Sequence, residues 1–218
     1  MFTGIVGGTS SVVSIKRCEG LHTLEIALAP EALSVLVVGS SVAIDGVCLT
    51  VTELLPSVAR FDVMRETLRV TTLGELCEGS VVNTELSLST QRDISGHIVS
   101  GHVDATATII AVERPDERNC TVVFSVDRRW MSYIFPKGYI AVHGCSLTVG
   151  SIDRLKGEFR VYLIPETMRR TTFGNAKVGG RVNIEVERQT QVLVDTIRAC
   201  FEEAIRGGFP FSPSGETP

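Results

Sequence analysis

The sequence predicts an all-β chain built from two copies of one small barrel, followed by a single helix. Three observations predict it: a repeat with a period near 100, short β-branched runs punctuated by turn residues, and one helical pattern confined to the C-terminus. With 218 residues, 44% hydrophobic and 21% charged, the chain can bury a core in each copy, and disorder of the whole is excluded.

The repeat is read first because it sets the register of everything else. Val42-Ala-Ile-Asp-Gly-Val-Cys-Leu-Thr-Val51 matches Ile140-Ala-Val-His-Gly-Cys-Ser-Leu-Thr-Val149 at an offset of 98, with Ala, Gly, Leu, Thr and Val identical. From 66 to 85 the offset is 100 and ten of twenty positions are identical, including Glu66-Thr67 over Glu166-Thr167 and Val82-Asn83 over Val182-Asn183. The two extra residues are expected in the loop around Asp153 to Glu158, where a Gly157 turn tolerates insertion. So long a period means a duplicated domain rather than a solenoid.

In the first copy the strands are expected over Gly4 to Ile15, Thr23 to Leu28, Ser41 to Thr52, Ala59 to Met64 and Ser80 to Leu88. Phe61-Asp-Val-Met and Phe159-Arg-Val-Tyr-Leu alternate apolar and polar side chains with period two, as half-buried strands do. Five or six such strands in about 90 residues suit a closed or nearly closed barrel. Short helical turns are expected at Pro30 to Leu36, at Glu66 to Arg69 and at their equivalents. Val192, Leu193, Ile197, Cys200, Phe201, Ala204 and Ile205 recur at helical spacing, which predicts an amphipathic helix of four or so turns. Its apolar stripe either meets a neighbouring subunit or covers its own barrel's open edge. The expected division is a barrel over 1–96, a second over 97–188, the helix over 189–206 and a loose tail over 207–218.

Composition excludes several classes of function. The net charge of −4, without a basic run, argues against a nucleic-acid partner. The N-terminus has no basic residue before Lys16, and nowhere do 18 apolar residues follow one another, so a cytoplasmic protein with no membrane partner is expected. Six cysteines separated by 30, 29, 43, 25 and 55 residues fit neither a metal knuckle nor a disulfide framework, and are read as thiols.

The residues able to carry chemistry sit in the duplicated run. Cys48 and Thr50, like Ser146 and Thr148, point the same way from a strand, so each barrel shows one face with a small nucleophile or hydrogen-bond donor and a hydroxyl. A strand whose small residues merely sit under a turn is the plainer alternative. His97 and His102, five apart, fall on opposite faces of a continuous strand, which disfavours a two-histidine metal site. An offset of 98 sets His102 over Gly4, placing an imidazole in the second copy where the first has only hydrogen. Such a group can pass protons near neutral pH, though a lone histidine is also often structural. No nucleotide loop or metal-ligand motif occurs, so no cofactor is expected.

Together Met1-Phe2-Thr3-Gly4-Ile5-Val6, the paired Gly-x-[Cys/Ser]-Leu-Thr-Val runs, the Glu-Thr-x-x-x-Thr-Thr-x-Gly pairs and Gly96-His97-x-x-x-Gly101-His102-Val103-Asp104 resemble the riboflavin synthase family of lumazine-binding repeats, from residue 1 to about 206. The resemblance implies two six-stranded Greek-key barrels and a C-terminal helix that joins subunits in a homotrimer. It implies a cofactor-free dismutation, in which two molecules of 6,7-dimethyl-8-ribityllumazine give riboflavin and 5-amino-6-ribitylaminouracil. Lumazine synthase is the protein partner it leaves open.

By the same resemblance the first barrel's pocket is Gly4, Ile5, Val6, Cys48, Leu49, Thr50, Asp62, Val63, Met64, Arg65, Glu66 and Thr67. The second barrel's is Gly101, His102, Val103, Lys137, Ser146, Leu147, Thr148, Tyr162, Leu163, Ile164, Pro165, Glu166 and Thr167. His102 is assigned proton transfer, Ser146 with Thr148 orientation or relay, and Cys48 the part of nucleophile or water-positioning group. Related antenna proteins, which bind such ligands without turnover, tend to lose the polar set in one barrel; Cys48, His102, Ser146 and Thr148 all remain here. Two positions depart from the family: His143, where an acidic residue is usual and a surface turn is expected, and Glu187, in place of a typical aspartate.

Overall fold

The computed structural model describes residues 1–88, 95–116 and 118–206. The expected tail over 207–218 lies outside the described residues. The first copy contains β1 (Gly8–Cys18), β2 (Leu21–Ala27), α1 (Pro30–Leu33), β3 (Ser41–Ile44), β4 (Val47–Leu54), β5 (Val58–Met64), α2 (Arg65–Val70) and β6 (Val81–Leu86). The second contains β7 (Ala105–Glu113), β8 (Cys120–Ser125), β9 (Tyr139–Val142), β10 (Cys145–Asp153), β11 (Glu158–Leu163), α3 (Pro165–Arg170) and β12 (Arg181–Val186), and α4 (Arg188–Ile205) follows. Each copy closes into a six-stranded antiparallel barrel, in the order β1-β2-β5-β4-β3-β6 and the equivalent β7-β8-β11-β10-β9-β12. Both therefore follow one Greek-key path, and closure leaves no sheet edge to protect.

The run expected as one strand over Ser41 to Thr52 is two, joined at Asp45-Gly46. Positive φ values of 46° and 80° there make the tight turn whose twist matches a hairpin, and His143-Gly144 repeats it at 45° and 79°. The two extra residues also lie elsewhere than expected. The turns β4–β5 and β10–β11 bracket four residues each, between Leu54 and Ala59 and between Asp153 and Glu158. The insertion instead lengthens the ladder by one residue on each strand: two residues face one between the pairs Val51–Phe61 and Leu54–Ala59, and three face two between Val149–Val161 and Asp153–Glu158. Both copies keep the same one-residue bulge there.

Alternation fills each barrel: Leu24, Ile26, Ile44, Phe61 and Val82 pack the first, and Val122, Phe124, Ile140, Phe159 and Ile184 the second. A third cluster of Phe2, Ala43, Val99 and Ala141 lies between them. Helix α4 leaves its apolar stripe open; Phe201 is 66% and Ile205 84% exposed, so the stripe does not cover the chain's own barrel. Its N-terminus is fixed by Glu187, whose carboxylate accepts the Gln189 and Thr190 N–H groups at 3.0 and 2.6 Å. The longer arm of glutamate thus still caps the helix.

Candidate functional site: two exchanged arms

Two short arms decide which residues meet. Phe2 and Val99 exchange backbone hydrogen bonds of 2.7 and 3.1 Å, so the segment before β1 and the segment before β7 run antiparallel between the barrels. Residues 97–102 are consequently not a continuous strand, and the expected opposition of His97 and His102 across one does not apply.

Each arm is held by a buried glutamate and delivered to the opposite barrel. Glu85 of β6 accepts the Thr3 N–H at 2.7 Å, the Thr3 hydroxyl at 2.8 Å and the Gly4 N–H at 3.1 Å. Glu185 of β12 accepts the Ser100 N–H and hydroxyl, both at 2.7 Å, and the Gly101 N–H at 2.9 Å. The Gly4 carbonyl then accepts the Ser146 N–H, and the Gly101 carbonyl the Cys48 N–H, each at 2.8 Å. Both arm glycines have left-handed φ, 74° and 81°, and a Cβ on either would stand 2.5 Å from the Cβ of Ser146 or Cys48. Only glycine permits that approach. Val6 is buried in the second barrel's core and Val103 packs against the first's.

This corrects the grouping read from the sequence. Gly4, Ile5 and Val6 accompany Ser146, Leu147 and Thr148, whereas Gly101, His102 and Val103 accompany Cys48, Leu49 and Thr50. It also corrects the register. Thr3 and Ser100, then Gly4 and Gly101, make the same bonds, and the β1 bulge between Val12 and Ser14 recurs in β7 between Ile109 and Ala111, so the offset here is 97. His102 therefore corresponds to Ile5, not to Gly4.

Around each arm the remaining candidate residues divide by strand parity. Leu49, Val63, Leu147 and Leu163 are buried in the barrel cores, so they present only backbone outward. Thr50, Asp62, Met64, Arg65 and Glu66 are exposed around half-buried Cys48, and Thr148, Tyr162, Ile164, Pro165 and Glu166 around half-buried Ser146, with Thr67 and Thr167 half-buried on α2 and α3. Glu66 and Glu166 are drawn below the usual carboxylate range by hydrogen bonds from Arg69 and, for Glu166, also Arg170. Each face thus combines an open apolar platform, Met64 or Ile164, with hydroxyl or thiol groups. His102 is exposed, and its carbonyl accepts a 2.6 Å bond from Arg188 at the start of α4.

Lys137 has φ 69° and donates its N–H to Val149 at 2.8 Å, the place taken in the first copy by Gly39, with φ 93° and a 2.9 Å bond to Val51. A lysine kept where glycine is the easier residue costs on the order of 1 kcal/mol, which singles out its side chain.

Three features escaped the sequence reading. Glu85 and Glu185 were visible only as identical positions within the repeat. His97 is buried, joined to the Ser146 hydroxyl by a 2.7 Å hydrogen bond, and stacked on Tyr139 with centroids 5.2 Å apart. His143, expected at a surface turn, is in the turn but buried, its Nδ1 3.9 Å from the Asp45 carboxylate. The two hairpin turns meet between the barrels, where the side-chain amides of Asn83 and Asn183 donate to the His143 and Asp45 carbonyls, both at 2.9 Å. Cys145, beside Ser146, is removed from nucleophilic chemistry by burial, which pushes its thiol far up.

The comparisons agree with this duplicated architecture. The lumazine binding domain matches residues 3–87 and 100–187. A riboflavin synthase of Escherichia coli (strain K12) is 46% identical over 198 residues, spanning 90% of this chain and 92% of its own length. One of Chlamydia pneumoniae is 41% identical, spanning 91% and 96%. Among solved structures, LumP complexed with riboflavin shares the fold, with a TM-score of 0.80 and 22% identity over 86% of this chain and 100% of that one. With the domain matched in both halves and such relatives along nine-tenths of its length, the chain belongs to the riboflavin synthase family of lumazine-binding repeats.

Proposed function

We propose that the chain converts two molecules of 6,7-dimethyl-8-ribityllumazine into riboflavin and 5-amino-6-ribitylaminouracil, as a four-carbon transferase without an added cofactor. The carrying observation is the pair of equivalent faces with unequal reactive groups: Cys48, Thr50 and the His102 arm on one, Ser146, Thr148 and the Gly4 arm on the other. A dismutation needs two like ligands in unlike roles, and a duplicated fold supplies two like sites free to diverge.

The chemistry begins with loss of a proton from the acidic 7-methyl group of one lumazine, while a nucleophile adds at C7 of the other. His102 takes the proton-transfer role, and Cys48 supplies the nucleophile or positions a water. Because the arms are exchanged, those two groups lie on one face, with Cys48 acting on the lumazine bound there and His102 on the 7-methyl group of the lumazine that meets it. Ser146 and Thr148 orient the second. Joining two large substrates in one alignment accounts for much of the acceleration. Both faces are open in the single chain, with Met64 65% and Ile164 63% exposed, which supports a homotrimer that brings the first barrel of one subunit against the second barrel of the next. The open stripe on α4 provides the subunit contact. No helix among the described residues is long and apolar enough to cross a membrane, which accords with a cytoplasmic location. Lumazine synthase remains the protein partner of this reading.

Incubation with 6,7-dimethyl-8-ribityllumazine alone tests it. Riboflavin at half the molar amount of lumazine consumed is the expected result. Ligand binding without riboflavin would instead place the chain with the non-catalytic antenna proteins.

A further inference from the structure

The Ser146 face has a partner that the Cys48 face does not. The His97 ring lies 2.7 Å from the Ser146 oxygen through Nδ1, and the backbone N–H of His97 holds the arm by donating to the Thr3 carbonyl at 3.1 Å. Tyr139 of β9 covers one ring face nearly in parallel, at 13°, which fixes the imidazole plane. Among the described residues no imidazole bonds the Cys48 thiol. Ser146 itself is half-buried and belongs to the face that receives a ligand, whereas His97 is buried behind it and is in none of the candidate ligand contacts.

We infer that His97 is a positioning residue: it accepts the Ser146 hydroxyl proton at Nδ1 and so turns the serine oxygen's lone pairs toward the bound ligand. The inference rests on the synthase reading and gives the two faces different hydrogen-bonding characters, an accepting serine on one and an unpolarised thiol on the other. It requires a neutral ring. Desolvation lowers the His97 pKa, against the pull of Glu187 at the start of α4, and Tyr139 and Ser146 also face the ring. Protonation would turn Nδ1 into a donor and reverse the bond, so turnover is expected to fall as pH drops through the His97 pKa.

The test uses the full chain and 6,7-dimethyl-8-ribityllumazine, with kcat and KM followed from pH 5 to pH 8. His97→Ala is expected to lower kcat by about tenfold or more with KM changed by less than about threefold, as for an interaction made in the transition state. His97→Asn, whose carboxamide oxygen can stand near Nδ1 but does not titrate, is expected to recover most of kcat and, in a His102→Ala background that removes the other histidine of the mechanism, to lose the acid limb. The double variant of His97→Ala with Ser146→Ala is expected to fall no further than Ser146→Ala alone, since one residue acts through the other.

Additive losses, or a His97→Ala enzyme with the parental kcat and acid limb, would overturn the inference while leaving the synthase reading intact. Should His97→Ala fail to fold, His97→Asn in the His102→Ala background decides alone: an unchanged acid limb overturns the inference and a lost one supports it. A parent chain that forms no riboflavin would overturn both.

Discussion

At the residue scale, the unusual backbone positions carry as much information as the reactive groups. Lys137 occupies a left-handed conformation that Gly39 fills in the other copy, so its side chain is retained against a local preference. Lys137→Gly is expected to leave folding stability within about 1 kcal/mol, because relief of strain offsets the added freedom of the unfolded chain. Lumazine affinity should fall, by roughly tenfold for one charged hydrogen bond, and fluorescence titration beside thermal melts separates the two effects. His102→Ala is expected to lower kcat by about 100-fold with little change in lumazine binding, the scale of general acid–base catalysis; an unchanged rate would remove its proton-transfer role. His102 was readable from the sequence as a titratable group, but its structural equivalent was not. Setting it over Gly4 carries the offset of 98 too far, and the matching bonds to Glu85 and Glu185, with the matching bulges of β1 and β7, show the offset of 97.

At the element scale, the hairpins explain two of the departures from the sequence reading. The Asp-Gly signal for a two-residue turn stood inside a run read as one strand, and the same turn buries His143. Burial raises the Asp45 carboxyl above its ordinary range, against the pull of His143 and the N–H that Asn83 donates at 2.8 Å. A carboxyl raised by folding holds its proton more tightly in the folded state. Its contribution is therefore present at low pH and is lost as the pH rises from the unfolded value through the folded one. Asp45→Asn keeps an acceptor for Asn83 and does not titrate. Its melting temperature relative to the parent is expected to rise between about pH 4 and pH 7, the window above the unfolded carboxyl's value. A difference independent of pH would show that Asp45 does not titrate there. Helix α4 was legible from its spacing alone, with its start one residue from the expected boundary, because an amphipathic period does not depend on what the stripe meets.

At the scale of the whole molecule, neither barrel is complete without the other. Each lends its preceding arm to the other, burying Phe2 and Val99 between the barrels and Val6 in its neighbour's core. A chain cut to residues 1–97 would expose Phe2 and Val6 and leave Cys48 without the Gly101 carbonyl. Such a fragment is expected to associate in pairs, each copy offering its own arm to the other, since Phe2 already pairs antiparallel with its counterpart Val99. Sedimentation would show this, and a monomeric, folded fragment would mean that the arms contribute little to stability.

The duplication, the barrel class, the terminal helix, the unequal pair Cys48/Ser146 and the equal pair Thr50/Thr148 are legible in the chain, because they follow from local pattern and from comparing one half with the other. Which arm meets which barrel, that His97 rather than His102 bonds Ser146, and that His143 is buried emerge from the folded molecule alone. Those facts depend on contacts between segments some 40 to 140 residues apart, several of them through backbone carbonyls that every residue possesses, and the order of residues along the chain does not say which distant segments meet.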